Sequence, residues 1–170
     1  MTNPRRIIFV CVIVVGVVVA YVLISPLFIT RRVAEELPMV LVNEMAPASA
    51  SAAPKRTVPV ELAYGSFVGL AGHAAQGTAR VIEIEGKRYV RFESDFRVTN
   101  GPDLFVYLGK NGAYDPNTRL AALKGNEGSQ NYELPVGASA THDEVWVWCR
   151  AFSVPFGKAK LVPTTRANEG

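Results

Sequence analysis

The sequence predicts an all-β fold, an antiparallel β-sandwich behind a single N-terminal transmembrane helix, on three observations. One uncharged apolar run near the start is long enough to cross a bilayer. An Ala/Pro/Ser-rich stretch follows, with too little apolar bulk to form a core. From about Val60 onward, short alternating runs are separated by turn residues, and no segment sustains a helical period. With 170 residues, 49% hydrophobic and 19% charged, the chain has room for one globular domain and little more.

Residues 1–6 form a short tail that carries Arg5 and Arg6. The eighteen residues from Ile7 to Ile24 hold no charge, and the apolar run resumes after Ser25 and Pro26 through Ile29. The twenty-three residues of 7–29, at about 1.5 Å each, cross a ~30 Å hydrocarbon core. A cleaved signal peptide has a shorter apolar region ending at a small-x-small site, whereas this run ends in Leu27, Phe28, Ile29, Thr30, Arg31 and Arg32. Cys11 lies deep inside the run, so no lipobox is present. The segment therefore reads as an uncleaved signal anchor with the membrane as partner, and Cys11 as a small apolar residue facing lipid. Arg5 and Arg6 balance Arg31 and Arg32 in the positive-inside count. A six-residue tail left in the cytoplasm is the ordinary outcome, which makes the protein single-pass with an extracytoplasmic C-terminal domain.

Residues 30–59 read as a tether. Positions 45–59 contain five Ala, three Pro and two Ser. As a flexible coil, 30–59 spans on the order of 30 Å, enough for a domain to stand off the bilayer and swivel. Leu37 to Val42 is apolar enough to lie on the membrane or to dock on the domain.

Residues 60–163 form the sandwich, and 164–170 a C-terminal tail. The clearest hairpin joins Ala79–Glu85 to Lys87–Glu93 around Glu85-Gly86. Further strands are expected at Leu104–Leu108, Arg119–Leu123, Gln130–Leu134, Glu144–Cys149 and Lys158–Val162. Breaks fall at Asn100-Gly101-Pro102, Lys110-Asn111-Gly112, Gly125–Gly128, Val136-Gly137 and Pro155-Phe156-Gly157. Phe67, Phe92, Phe96, Phe105, Phe152 and Phe156 supply the core together with strand Val, Ile and Leu residues.

Charge excludes one partner class. Residues 1–60 hold six Arg/Lys against three acids, and 61–170 hold twelve of each. A neutral domain lacks the basic footprint that nucleic-acid binding needs. Two distant cysteines exclude a disulfide framework and a Cys-type zinc site. No glycine-rich phosphate loop precedes a helix, and GxSxG, HExxH and CxxC are all missing.

Val145-Trp146-Val147-Trp148-Cys149 is the most informative segment, because alternation puts Val145, Val147 and Cys149 on one face and both tryptophans on the other. Cys149 reads either as a buried, inert small hydrophobe or as a reactive thiol. Trp146 and Trp148 could offer a stacking platform or an electron relay, or simply pack under a loop. His142, seven residues before Cys149, lies roughly 23 Å away on an extended strand and cannot share an ion with it. His73, in Gly69–Gly77, is the histidine left as a partner for the sulfur. Asp95, Asp103 and Asp115 are candidate acid/base or calcium-binding residues, but each stands beside turn residues, where aspartates commonly bond nearby backbone.

Several pieces in register carry a family resemblance. They are Gly65-Ser-Phe67, Gly72-His73, Arg91-Phe92-Glu93-Ser94-Asp95-Phe96, Gly101-Pro102-Asp103-Leu104 through Leu108, Leu123-Lys124-Gly125, Gly128–Pro135, Val145–Cys149 and Phe156–Leu161. Over roughly residues 61–162 the chain resembles the DM-thirteen domain family, a proposed extracellular electron-transfer domain. The resemblance implies a β-sandwich outside the cell, in bacteria a single domain behind a membrane anchor. It also implies a redox role for the family's signature cysteine, at Cys149, as a bare thiol or as the attachment for a prosthetic group such as haem. His73 matches the histidine of the family's Gly-His element, which makes Cys149 and His73 the haem-ligand candidates. Asp95 and Asp103 fall at motif positions without an assigned role. The thiol variant runs through a thiolate, a sulfenic acid or mixed disulfide, and reduction by a redox partner. The alternative is a non-catalytic ligand-binding or adhesion module of the cell envelope, in which Cys149 is structural and Trp146, Trp148, Asp95 and Asp103 contact a ligand.

Overall fold

Period-two alternation sets the architecture: every strand that reads apolar on one face turns that face to a shared interior. A computed structural model describes residues 4–25, 29–38 and 58–164. The Ala/Pro/Ser-rich part of the expected tether, and the C-terminal tail beyond residue 164, lie outside the described residues. Helix α1 runs Pro4–Ile24. Its window Arg5–Val22 is long and apolar enough to cross a membrane, a test a signal sequence also passes, and none of that window is buried against protein.

The strands follow as β1 (Val60–Gly69), β2 (Ala75–Gln76), β3 (Thr78–Ile84), β4 (Lys87–Phe92), β5 (Arg97–Val98), β6 (Leu104–Lys110), β7 (Ala113–Ala122) and β8 (Gln130–Glu133). After the short helix α2 (Ala138–Thr141) come β9 (Glu144–Cys149), β10 (Val154–Lys160) and β11 (Val162–Pro163). The main sheet has the order β7-β6-β9-β10-β1-β3-β4-β8, with β11 added beside β1, and β2 pairs with β5 separately. All strand pairs are antiparallel. Strand β1 belongs to both layers: its first part pairs with β3, and Phe67–Gly69 pair with β10. The sheet thus folds over a single core and is nearly closed, with its edge strands β7 and β8 close together.

That core holds Phe67, Phe92, Phe96 and Phe156 with Val90, Val106, Val145, Val147 and Cys149. Phe67, Phe92 and Phe96 meet at centroid distances of 4.6–4.9 Å. Two of the six expected core phenylalanines are elsewhere. Phe105 alternates with the buried Leu104 and Val106, so it faces outward under the guanidinium groups of Arg119 and Arg150. Phe152 sits in the turn after β9 and is 59% exposed.

The β3–β4 hairpin has the expected register, with Ile84 opposite Lys87 and positive φ at both Glu85 (50°) and Gly86 (77°), as a two-residue turn requires. Pro155-Phe156-Gly157, expected as a break, is the start of β10. A bulge between Pro155 and Gly157 absorbs the proline and lets the strand continue.

The segment just after α1 is bound to the sandwich rather than free, which differs from the coil expected of the whole stretch 30–59. Glu127 N donates to Arg31 O (3.2 Å), Val33 N to Glu127 O (2.9 Å) and Glu35 N to Ser129 O (2.9 Å). The Glu35 carboxylate accepts from Lys124 Nζ (2.7 Å) and Asn131 N (2.8 Å), while Arg32 Nη2 reaches Glu127 Oε2 at 2.6 Å. Asn131 Nδ2 donates to Glu36 O (2.8 Å) and Arg91 Nη1 to Glu35 O (3.1 Å). This strap covers the approach to β8, an edge strand that otherwise presents bare backbone groups.

Candidate functional site

Strand direction gives the sandwich two ends. One end gathers the close of β1, β4 and β9 and the starts of β6, β8 and β10. The other carries the Glu85-Gly86 turn, the Lys110–Ala113 turn and α2. Cys149, His73, Asp95 and Asp103 all belong to the first end, here termed the Cys149 end.

Cys149 closes β9 opposite Leu104 of β6 and Val154 of β10. Its relative exposure is 0% and it is part of the apolar core. The next residue changes environment at once: Arg150 to Phe152 are exposed in a turn that ends at Ser153, with φ 53°. Arg150 holds that turn, through its N–H to Asp103 O at 3.0 Å and through Nε to Asp103 Oδ2 at 2.9 Å. Asp103 therefore ties the turn after β9 to the entry of β6.

His73 stacks flat on Phe156, with centroids 3.6 Å apart and planes at 10°. Asp95 accepts from both Thr78 N and Thr78 Oγ1 at 3.0 Å, which clasps the start of β3. Asp115 accepts from Asn117 N at 2.9 Å, the local turn bond expected of such an aspartate, and also faces His142 Nε2 at 3.3 Å.

The tryptophans lie on the outer face of β9, as alternation requires. Trp146 is 5% exposed, donates from Nε1 to Glu144 Oε2 at 3.1 Å and lies 4.8 Å beneath the Lys158 ammonium. The buried Glu144 carboxylate also accepts from Lys158 Nζ (3.3 Å) and Gly112 N (3.1 Å). Trp148 stacks with Tyr114 at 4.0 Å, and Tyr114 meets Tyr107 edge-on at 5.3 Å. One face of each indole is thus already covered by the protein. The sequence reading missed Tyr107, Tyr114, Glu144 and Lys158. Glu144 was legible, two residues before Trp146 and so on the same face. Tyr114 was not, because bulges in the β6–β7 pairing set its register.

A haem held between Cys149 and His73 does not fit these residues. The sulfur has no exposed surface, the imidazole face lies against Phe156, and neither residue lines the groove beside Glu35 and Lys124 or the one beside Ser25 and Asp103. Among the described residues no three His, Cys, Asp or Glu side chains converge as metal ligands.

Charge pairing also shapes the strap. Burial raises the Glu35 pKa, but the bonds from Lys124 and from Asn131 outweigh it and hold the carboxyl below its ordinary 4.5. The Tyr132 hydroxyl is pushed up by burial, and it donates to Gln130 Oε1 at 2.6 Å. Gln130, itself fully buried, bonds Gly125 N and O and so fixes the turn on which the strap rests.

No curated protein and no solved structure shows significant similarity to the chain. Residues 66–161, more than half of the chain, match the family described as Electron transfer DM13. The match spans from β1 through β10 and includes the Cys149 end, and by it the chain belongs to the Electron transfer DM13 family.

Proposed function

We propose that the chain is a membrane-anchored, extracytoplasmic electron-transfer domain in which Cys149 is the redox sulfur. The general redox role follows from the family. Anchoring is supported by α1, apolar all round and without protein cover, as a helix that lies in lipid is. The observation that carries the assignment to Cys149 is its place: the last residue of β9, one position before an exposed turn that Asp103 and Arg150 hold shut.

The chemistry is thiol–disulfide exchange with the turn open. The Cys149 thiolate attacks the disulfide of an oxidised partner, the S–S bond breaks, and the partner's second sulfur leaves as a thiolate. A thiolate of a reduced dithiol partner then attacks the Cys149 sulfur and frees the first partner. Its second thiolate closes the donor's disulfide and releases Cys149. Two electrons pass from dithiol to disulfide, and Cys149 ends as it began. Asp103 and Arg150 act by position, opening or closing access.

A second reading is favoured by one observation, the complete burial of the sulfur between Leu104 and Val154. In it the domain is a ligand-binding or adhesion module and Cys149 only fills the core. Incubating the full chain in nanodiscs with a glutathione disulfide buffer, then weighing the intact protein, separates the two. The redox reading expects a glutathione adduct on Cys149 that forms faster in Asp103→Asn and is lost in Cys149→Ser. Adduct formation only at the rate of global unfolding, alike in wild type and Asp103→Asn, establishes the structural reading instead.

A further inference from the structure

The chain between α1 and its first contact with the sandwich is short. α1 ends at Ile24, and Thr30 Oγ1 already accepts a hydrogen bond from Asn100 Nδ2 at 3.2 Å. The five residues between them, drawn out fully, reach ~20 Å at most. Arg31 and Val33 then exchange backbone bonds with Glu127, and the strap runs on toward Asn131, away from the Cys149 end. A groove of about 360 Å³ at that end has Ser25, Ile29 and Arg31 on one side and Gly101, Asp103 and Leu104 on the other. Asp103 is also the residue that holds the turn after β9.

We infer that the Cys149 end of the sandwich faces the lipid surface, seated on headgroups through the loop 100–103 and the turn 150–153, with Phe152 entering the interface. The inference rests on α1 being a membrane anchor, as proposed above. Phe152 is a large aromatic side chain, 59% exposed, on a turn beside the residues that meet the end of α1. Arg31 enters the domain at the same level, where a cation meets lipid phosphate, while Arg150 and Arg32 beside it are paired with Asp103 and Glu127. The Glu85 end stands a strand length farther out, ~20 Å for the six residues of β9. A redox partner of Cys149 then meets it at the bilayer surface, and the far end is left to soluble contacts.

The test uses the full chain in nanodiscs that carry a lipid with a gadolinium chelate on its headgroup, read by amide NMR intensities. Resonances of 100–103 and 150–153 are expected to lose most of their intensity, while those of Glu85-Gly86 and Lys110–Gly112 keep it. Equal loss at both ends, or greater loss at the Glu85 end, overturns the orientation. Carbonate extraction of vesicles holding the same chain is run in parallel. Release of the chain overturns the anchor and the orientation with it, whereas an anchored chain with equal losses overturns the orientation alone. Neither readout involves the thiol, so the redox assignment stands or falls separately.

Discussion

A sulfur sealed within the apolar core makes its substitutions unusually informative. Cys149→Ala leaves a small cavity between Leu104 and Val154 and should cost about 1 kcal/mol. Cys149→Ser puts a hydroxyl into the same apolar setting and should cost about 1–3 kcal/mol, with Ser the less stable of the two. Urea denaturation of the detergent-solubilised chain, followed by tryptophan fluorescence, checks the order. Serine as stable as alanine would mean that a polar partner reaches the site. Glu35 makes a second residue-scale prediction. Its carboxyl is held below 4.5 in the folded chain, so the stability it contributes is present above the ordinary carboxylate range and lost as pH falls through the depressed value. Protection factors at Val33 and Glu35, each taken against the intrinsic exchange rate at the same pH, should therefore fall as pH drops through that depressed value, and Glu35→Gln should remove Glu35's share of the fall and leave that of the Arg32–Glu127 pair. At this scale the sequence showed which faces Cys149, Trp146 and Trp148 occupy, because alternation alone decides that. It did not show that His73 is taken up by Phe156, since that stack joins a loop to a bulged strand through the fold.

Among the elements, the strap is held through both its backbone and the side chains of Arg32 and Glu35, and its partners lie about ninety residues away, which made it the least legible. The stretch Leu37–Val42 drew attention by its apolar side chains as a segment for the membrane surface or the domain, and Met39–Val42 lie outside the described residues; the bonds seen precede it, at Arg31, Arg32, Val33 and Glu35. Its seat was visible only as a break between strands. Gly125 and Gly128 flank the strap, and a Cβ at Gly125 would stand 2.6 Å from Arg31 O and from Val33 Cγ2. Gly125→Ala should expel the strap, so that exchange protection at Val33 and Glu35 falls at least tenfold while that of β9 and β10 is kept. Protection that survives the substitution would show that the strap can shift aside. Gly109 is a contrasting position: a Cβ there meets the Trp146 indole and Ala113 O, both in the β6–β7–β9 layer. Gly109→Ala should lower the thermal midpoint of the whole domain and leave the strap bonds unchanged at temperatures where it stays folded.

Taken as one object, the protein is a β-sandwich joined by a short connection to an apolar rod, and that asymmetry makes its sidedness measurable. An impermeant amine reagent should reach Lys87 and Lys110, exposed at the Glu85 end, in right-side-out vesicles and not in sealed inverted ones. The reverse pattern would put the domain in the cytoplasm, where a lone thiol stays reduced and the exchange chemistry loses its compartment. The β class and two-layer form were legible because they depend on local alternation and turn residues. Closure of the sheet was not, because it depends on which distant strands become neighbours.

That neighbour choice also governs how the chain is made. β1 is the first strand of the sheet to be synthesised, and its partner across the layer boundary, β10, is nearly the last. A nascent chain emerging in order therefore cannot complete its interior until β10 has arrived, and long-range pairing of this kind is slow. Until then the polypeptide remains unlocked, a form that can still be threaded through a channel as the proposed extracytoplasmic placement requires, and it becomes rigid only once β10 has joined β1.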